Sequence, residues 1–169
     1  MSEVLVKRSD KVAFYGVPSG TPGTIAYHRM RSFTDSSTSK NAKEYSRQYT
    51  DEDFERTDLI GFSPSMAYGF DQYTDNPVHD DIVALTDNET LGTAAIRSII
   101  IVDMTDFTTV AEVTTYAARK RDFTVIPDSE GDSTDAYTYS GTLKSNGPIA
   151  KGTVVLDADK KIATFTEAA

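Results

Sequence analysis

The sequence contains no cysteine, only two histidines and no long apolar run. Without cysteine, disulfides and thiolate chemistry are excluded. The longest apolar run, Ile99–Val102, is far shorter than the roughly 20 residues of a membrane-spanning helix. Residues 1–8 lack the basic and apolar regions of a signal peptide. We therefore expect a soluble protein without a membrane anchor or a signal peptide.

Metal and catalytic motifs are also scarce. Zinc sites commonly use three or four converging ligands, whereas His28 and His79 fall on different predicted elements and no HExxH spacing is present. We expect His28 to be half-buried on a strand and His79 to lie on the surface. Residues 61–65 (GFSPS) lack the last glycine of a nucleophile elbow, and no phosphate-binding glycine motif is present. The sequence therefore predicts no catalytic centre, no metal and no cofactor.

Acidic residues outnumber basic ones, which gives a formal net charge of −9. Such a surface repels nucleic-acid phosphates. It is either an ordinary solvated surface or the lining of a path along which DNA slides without sticking. The basic triplet Arg119, Lys120 and Arg121 lies on a predicted strand, where successive side chains point to opposite faces. We expect it to form no continuous patch, and we suggest that it pairs with an acidic loop of a neighbouring subunit.

Strand signals dominate the chain. Runs of β-branched and aromatic residues are separated by turn clusters, and Asn146-Gly147 is a strong hairpin signal. About eight strands and one helix predict a single, mainly β domain over residues 1–169, a β-sandwich or small barrel. The predicted strands are 11–17, 24–33, 63–73, 95–104, one strand or a pair within 108–127, 137–143, 150–156 and 161–166.

One helix is predicted over residues 76–88. Asn76 or Asp75 can cap it, and a proline follows in the first turn. Val78, Ile82 and Leu85 are spaced at i, i+4 and i+7, so they form one apolar stripe. The helix is therefore expected to pack on a sheet.

The stretch 35–59 differs from the rest because it is polar and shows neither a helical nor a strand period. A polar connection of this length inside a compact domain is usually functional or mobile. Its aromatic residues argue against plain disorder, so we favour an arm that orders against a partner over a mobile loop. The candidate contact residues of this long inter-strand loop are Lys43, Tyr45, Arg47, Tyr49, Asp51, Asp53, Phe54 and Arg56.

The chain resembles the tail tube (major tail) proteins of long-tailed bacteriophages and of phage-like particles of Gram-positive bacteria. The segments that carry this resemblance are 39–54 (SKNAKEYSRQYTDEDF), 63–73 (SPSMAYGFDQY), 76–82 (NPVHDDI), 139–143 (YSGTL) and 149–153 (IAKGT).

The resemblance implies a structural protein of the virion tail, made in the bacterial host cytoplasm. It implies hexameric rings that stack into a hollow tube, with the loop 35–59 reaching the neighbouring ring and an electronegative lumen through which DNA passes transiently. The implied partners are further copies of the chain and other tail proteins, namely the tape measure, the tail terminator and a baseplate or distal tail protein.

Two other classes stay open at this point. A non-enzymatic β-sandwich that binds carbohydrate or a cell surface would use an exposed aromatic platform, which Tyr45, Tyr49 and Phe54 can supply. A small glycosidase would need two facing carboxylates. Its candidates lie in two polar clusters, Asp51, Glu52, Asp53 and Glu55, and Asp128, Glu130 and Asp132.

Overall fold

The computed structural model describes residues 2–169, and within them the chain is mainly β with one α-helix, as predicted. The helix α1 spans Pro77–Asp87, and short 3₁₀ turns occupy Arg8–Asp10 and Gly92–Ala95. The strands are β1 Lys11–Pro18, β2 Ile25–Arg29, β3 Phe33–Asp35, β4 Thr38–Ser39, β5 Ala42–Gln48, β6 Glu55–Phe62, β7 Ser65–Asp71, β8 Ile96–Val110, β9 Val113–Glu130, β10 Thr138–Ser145, β11 Ala150–Leu156 and β12 Ile162–Glu167.

Six antiparallel strands close into a barrel in the order β11-β12-β2-β1-β8-β9. The barrel closes because β9 pairs with β11 as well as with β8. Closure removes most of the open edges that an exposed sheet would otherwise present. The barrel interior is filled by small and branched side chains around one phenylalanine, namely Val12, Phe14, Ile100, Val102, Ala118, Val154 and Ala163.

A second core lies on the outer face of the barrel. β1 contributes to both cores because its side chains alternate: Phe14 points into the barrel, whereas Tyr15 lies outside it beneath α1 and β7. The sheet extends from the far half of β9 through β10 and β7 to the short β3 and β4. Met66, Tyr68 and Phe70 are all buried on one face of β7, as their alternation predicts.

The helix covers this outer core. The side chain of Asn76 caps it by accepting a hydrogen bond from the backbone N–H of His79, at 3.4 Å. Val78, Ile82 and Leu85 are buried, so the predicted apolar stripe is confirmed. The helix therefore covers the outer face of the barrel.

Two strand boundaries differ from the predictions. The strand expected over 24–33 ends at Arg29, and Ser32 adopts a left-handed backbone (φ 62°) that breaks the extended run before β3. The strand expected over 95–104 continues to Val110. It turns into β9 through Ala111 and Glu112, both at positive φ, as a two-residue hairpin turn requires. The region 108–127 is therefore the end of one strand and most of the next.

The hairpin predicted at Asn146-Gly147 is wrong. β10 and β11 do not pair with each other; both pair with the same edge of β9, one after the other. Ser145 lies opposite Phe123, and Ala150 lies opposite Lys120. The Asn-Gly sequence, with Gly147 at φ 142°, makes a short excursion between two collinear strands. The N-terminal part of β9 therefore pairs with β11 in the barrel, and its C-terminal part pairs with β10 in the outer layer.

Candidate functional site

The stretch 35–59 is not an irregular loop, because most of it forms strands. β5 and β6 pair with each other in a two-stranded sheet that is separate from the main sheet. The root of this hairpin is fixed to the body: the N–H of Ser63 donates to the carbonyl of Asn41 at 3.3 Å, and the Asn41 side chain donates to Ser65 Oγ at 3.2 Å. We call residues 42–62 the projecting hairpin.

The sequence shows no strand period here because neither face of the projecting hairpin is buried. Every residue of β5 and β6 except Gly61 is exposed. Near the root the exposed side chains include Leu59, Ile60 and Phe62. An isolated two-stranded hairpin is marginally stable in water. The projecting hairpin therefore leaves apolar area and two strand edges for a contact outside the chain.

The tip of the projecting hairpin is organised by local contacts. The N–H of Glu52 donates to the carbonyl of Tyr49 at 3.1 Å, and the carboxylate of Glu52 pairs with Arg56. The guanidinium of Arg56 also lies 5.9 Å from the ring centre of Tyr49. Phe54 is 81% exposed, and its neighbour Asp53 forms no ion pair within residues 2–169. The tip therefore presents an aromatic ring among carboxylates in a defined shape.

The predicted contact residues separate onto faces of the hairpin. Lys43, Tyr45 and Arg47 share one face of β5, because alternate side chains point the same way. Arg47 lies directly opposite Arg56, and like charges at such a position destabilise the pair. Arg56 has Glu52 as a counter-ion, whereas Arg47 has no carboxylate within ion-pair distance in residues 2–169. This face therefore carries a cation without a counter-ion.

A second exposed region lies at the far end of the β8–β9 hairpin. β1 pairs with β8 only as far as Asp103. Over residues 104–110 no other strand of the described chain occupies that edge of β8. Phe107, Val110 and Val113 are exposed there. No local sequence pattern predicts this edge, because the pairing partners of a strand cannot be read from local pattern.

The basic triplet occupies the centre of β9. Lys120 lies 4.9 Å from the ring centre of Phe165. Arg119 and Arg121 share the other face, so the predicted alternation holds. All three residues of the triplet nonetheless border one surface cavity, together with Arg8, Lys11 and Lys40. The fold thus gathers a basic cluster from distant segments, which the sequence analysis missed.

His79 is fully buried, so the prediction of a surface histidine is wrong. The first turn of α1 faces β7, and the imidazole stacks on Phe70 with ring centres 4.1 Å apart. Its Nδ1 accepts a hydrogen bond from the N–H of Tyr73 at 3.1 Å, so Nε2 carries the proton and donates to the carbonyl of Arg31 at 3.1 Å. Burial lowers the pKa of His79. It is a structural residue in its neutral form.

His28 is half-buried on β2, as predicted. In residues 2–169 no three His, Asp or Glu side chains are grouped in a way that would hold a metal ion.

The cluster around Asp128 lies at the exposed end of β9 and the turn that follows, where Ser129 Oγ donates to Asp132 at 2.8 Å. Among the described residues, no helix has the length and apolar character of a membrane span.

Neither a protein-family model nor a curated protein matches the sequence. Among solved structures, the chain is similar to a protein in the tail of an empty gene transfer agent (GTA) particle, solved by helical refinement with C6 symmetry. The TM-score is 0.58 at 11% sequence identity, over 86% of this chain and 98% of that one. A chain of the 6-fold symmetrised baseplate of the anti-feeding prophage (AFP) gives a TM-score of 0.46 at 10% identity, over 89% and 97% of the two chains.

The first similarity agrees with the predicted fold, a mainly β domain with one helix. It covers nearly all of the tail protein and most of this chain. At 11% identity the similarity concerns the fold alone.

Proposed function

We propose that this protein is a structural subunit of a phage-like tail tube, which self-assembles into stacked hexameric rings around a lumen for DNA. The observation that carries the proposal is the projecting hairpin on a fold shared with a tail protein. It exposes aromatic and apolar side chains, and several of its charged side chains, among them Arg47 and Asp53, form no ion pair within residues 2–169. A self-assembling subunit needs such a surface, whereas a monomer gains nothing from it.

Contacts within a ring and contacts between rings need different surfaces. The open edge of β8 over residues 104–110 is suited to pairing with an adjacent subunit, since an unpaired edge is a template for strand addition. A head-to-tail contact of this type closes into a ring when its rotation allows, whereas an axial contact continues as a filament. We assign the axial contact to the projecting hairpin.

The remaining properties agree with a passive tube. A formal net charge of −9 disfavours retention of a polyanion that passes through. In this proposal the protein is not an enzyme, it resides in the virion tail after assembly in the host cytoplasm, and DNA is a transient passenger. The ends of the tube contact a terminator and a baseplate or distal tail protein, and the lumen holds a tape measure before DNA enters.

The test is to remove the projecting hairpin. Asn41 and Ser63 are hydrogen-bonded at its root, so a short Gly-Ser linker can replace residues 42–62 without straining the body. We expect the wild-type protein to form rings and tubes with a central channel by negative-stain microscopy. The linker variant should keep its thermal transition and circular dichroism but form no tubes. Leu91→Ser, at an exposed site away from the hairpin, is the control and should still polymerise.

Tubes of normal length from the linker variant would show that the hairpin is not the axial contact. A wild-type protein that stays monomeric under every assembly condition would contradict the tube itself. Binding of a glycan by that monomer, lost in Tyr49→Ala, would then favour the carbohydrate-binding alternative, because Tyr45 and Tyr49 are both exposed on the hairpin.

A further inference from the structure

A surface cavity lies beside the root of the projecting hairpin. Its volume is about 310 Å³, at the lower end of the range for ligand pockets and enough for one aromatic ring. The floor is apolar and includes Met66, Ile99 and Phe123, while Ile149 stands at the margin. Pro64, just beyond the hairpin, also borders it. We call this space the root cavity.

The rim of the root cavity is basic, although the protein as a whole is acidic. It carries six basic residues, namely Arg8, Lys11, Lys40, Arg119, Lys120 and Arg121. Lys11 pairs with Asp103, and the guanidinium of Arg8 donates to the hydroxyl of Ser36. Lys40, Arg119 and Arg121 have no carboxylate within ion-pair distance in the part of the chain that the structure describes. The Nε of Arg121 is buried and has no hydrogen-bond acceptor, and an unsatisfied buried donor of a charged group is costly. Lys40, Arg119 and Arg121 are therefore cations of the rim that have no counter-ion among the described residues.

The tip of the projecting hairpin has the complementary composition. Asp51, Asp53 and Glu55 have no ion-pair partner in residues 2–169, and Phe54 between them is 81% exposed. An apolar ring flanked by carboxylates is complementary in charge and polarity to an apolar floor bordered by cations. Such charge pairs fix register and raise association rates. A buried aromatic anchor supplies the larger share of binding energy.

The tip cannot reach the root cavity of its own chain. β5 is seven residues long, so an extended strand places the tip about 24 Å from the root. The cavity adjoins the root, since Lys40 and Pro64 border it. The contact must therefore be made by a second copy. A tip-to-root contact joins two different surfaces, so it repeats from copy to copy as a filament does.

We propose that the root cavity of one copy receives the hairpin tip of the next copy, with Phe54 on the apolar floor and the tip carboxylates on the basic rim. This inference rests on the proposed tube and names the receptor of its axial contact. It also explains why cations are gathered on an acidic subunit. The acidic tip and the basic rim are the two sides of one interface, and each copy carries both.

The absence of cysteine permits a direct test by disulfide trapping in the full-length protein. Thr50 is exposed in the tip, and Thr50→Cys combined with Ile149→Cys should give a ladder of dimers, trimers and longer species on a non-reducing gel of assembled protein. Thr50→Cys alone, and Thr50→Cys combined with Leu91→Cys, are the matched controls and should give no ladder. A ladder from Leu5→Cys with Ile149→Cys, and none from the Thr50 pair, would place the exposed N-terminal segment in the cavity and overturn the proposal.

A charge exchange provides the second test, using exposed positions that leave the fold intact. Lys40→Glu with Arg119→Glu should weaken assembly at least about tenfold, because like charges then face each other. Asp51→Lys with Asp53→Lys should do the same. A mixture of the two variants should form tip-to-root pairs, since an acidic rim then meets a basic tip. Failure of the mixture to pair would contradict the assignment.

The two proposals fail in different ways. If the wild-type protein forms no rings or tubes, the tube is wrong. If tubes form and need the projecting hairpin, but tolerate the charge reversals of rim and tip and show no trapping at Ile149, the tube stands and the root cavity is not the receptor.

Discussion

Asp81 on α1 and Arg97 on β8 form a two-point ion pair at the edge of the outer core. Arg97 Nε donates to Asp81 Oδ2 at 2.8 Å, and Nη2 donates to Oδ1 at 3.2 Å. Tyr15 donates its hydroxyl to the same carboxylate at 2.6 Å, and its burial beside Asp81 raises its pKa well above the ordinary value. The two charged side chains are only 12% and 14% exposed. The carboxylate of Asp81 therefore links the helix to the barrel, because it accepts hydrogen bonds from side chains on β1 and β8.

We expect Asp81→Asn to lower the free energy of unfolding by roughly 3 kcal/mol, because it leaves the charge of Arg97 largely buried and unpaired. Urea denaturation followed by circular dichroism measures the change. Asp80→Asn, at the adjacent exposed position, is the control and should cost less than about 1 kcal/mol. Equal effects of the two changes would show that the ion pair contributes little.

We expect acid to destabilise the protein through His79. Its folded-state pKa lies below the ordinary value of 6.5 because the ring is buried. As the pH falls below 6.5, the histidine of the unfolded chain binds a proton, whereas the buried ring in the folded chain stays neutral. The free energy of unfolding therefore decreases. The decrease should stop once the pH passes the folded-state pKa. Above pH 6.5 the histidine should have no effect.

The measurement is the difference in unfolding free energy between pH 7.5 and pH 5 for the wild type and for His79→Gln. The variant should be less stable at both values but should depend less on pH. His28→Gln is the comparison, since burial and then Arg31 lower the pKa of His28 in the same direction. A pH dependence that His79→Gln leaves unchanged would contradict the buried neutral ring.

The carboxyl group of Asp103 should titrate with a pKa of about 2, below its ordinary 3.8. The first cause is the hydrogen bond from Lys11, and the second is the pair of bonds from Thr105. The stability that this interaction contributes should be lost as the pH falls from about 3.8 to about 2. Carboxyl-carbon NMR titration measures the pKa directly. Lys11→Met should return it toward 3.8, and no movement would rule out the ion pair.

Gly152→Ala should destabilise the barrel at its closing pair of strands. A Cβ at this position would lie 2.7 Å from the ring of Phe165 and against the carbonyl of Thr166, so β11 and β12 would have to separate. We expect a loss of roughly 1–3 kcal/mol, as for other overpacked sites. Gly20→Ala, where a Cβ meets nothing within 4 Å, should change stability little. Thermal unfolding of both variants compares them under one condition.

The local elements were predictable because each follows from a short-range rule. Asn76 before a proline and the stripe Val78, Ile82 and Leu85 specify the helix and its buried face. The alternation in residues 66–70 specifies the buried face of β7. The resemblance to tail tube proteins implied assembly, and the segment that holds the projecting hairpin stood out by its polarity and length.

The wrong predictions concern contacts between residues that are far apart in the sequence. Asn146-Gly147 satisfies the hairpin rule, yet β10 and β11 both pair with β9, because a strand of this length offers room for two partners on one edge. His79 reads as a surface residue beside two aspartates, but the direction in which α1 docks turns its ring onto Phe70. The projecting hairpin shows no period because alternation appears in a sequence only when one face is buried.

What the sequence determined by itself was the class of the protein: mainly β, acidic, cysteine-free, with one amphipathic helix and one exceptional polar segment. Composition and neighbouring residues suffice for these properties. Only the tertiary structure decided that the barrel closes through β9 and β11, and that Arg8, Lys40 and Arg119 converge on one cavity at the root of the hairpin. Residues so far apart in the chain come together only through strand register, which depends on the packing of the whole sheet.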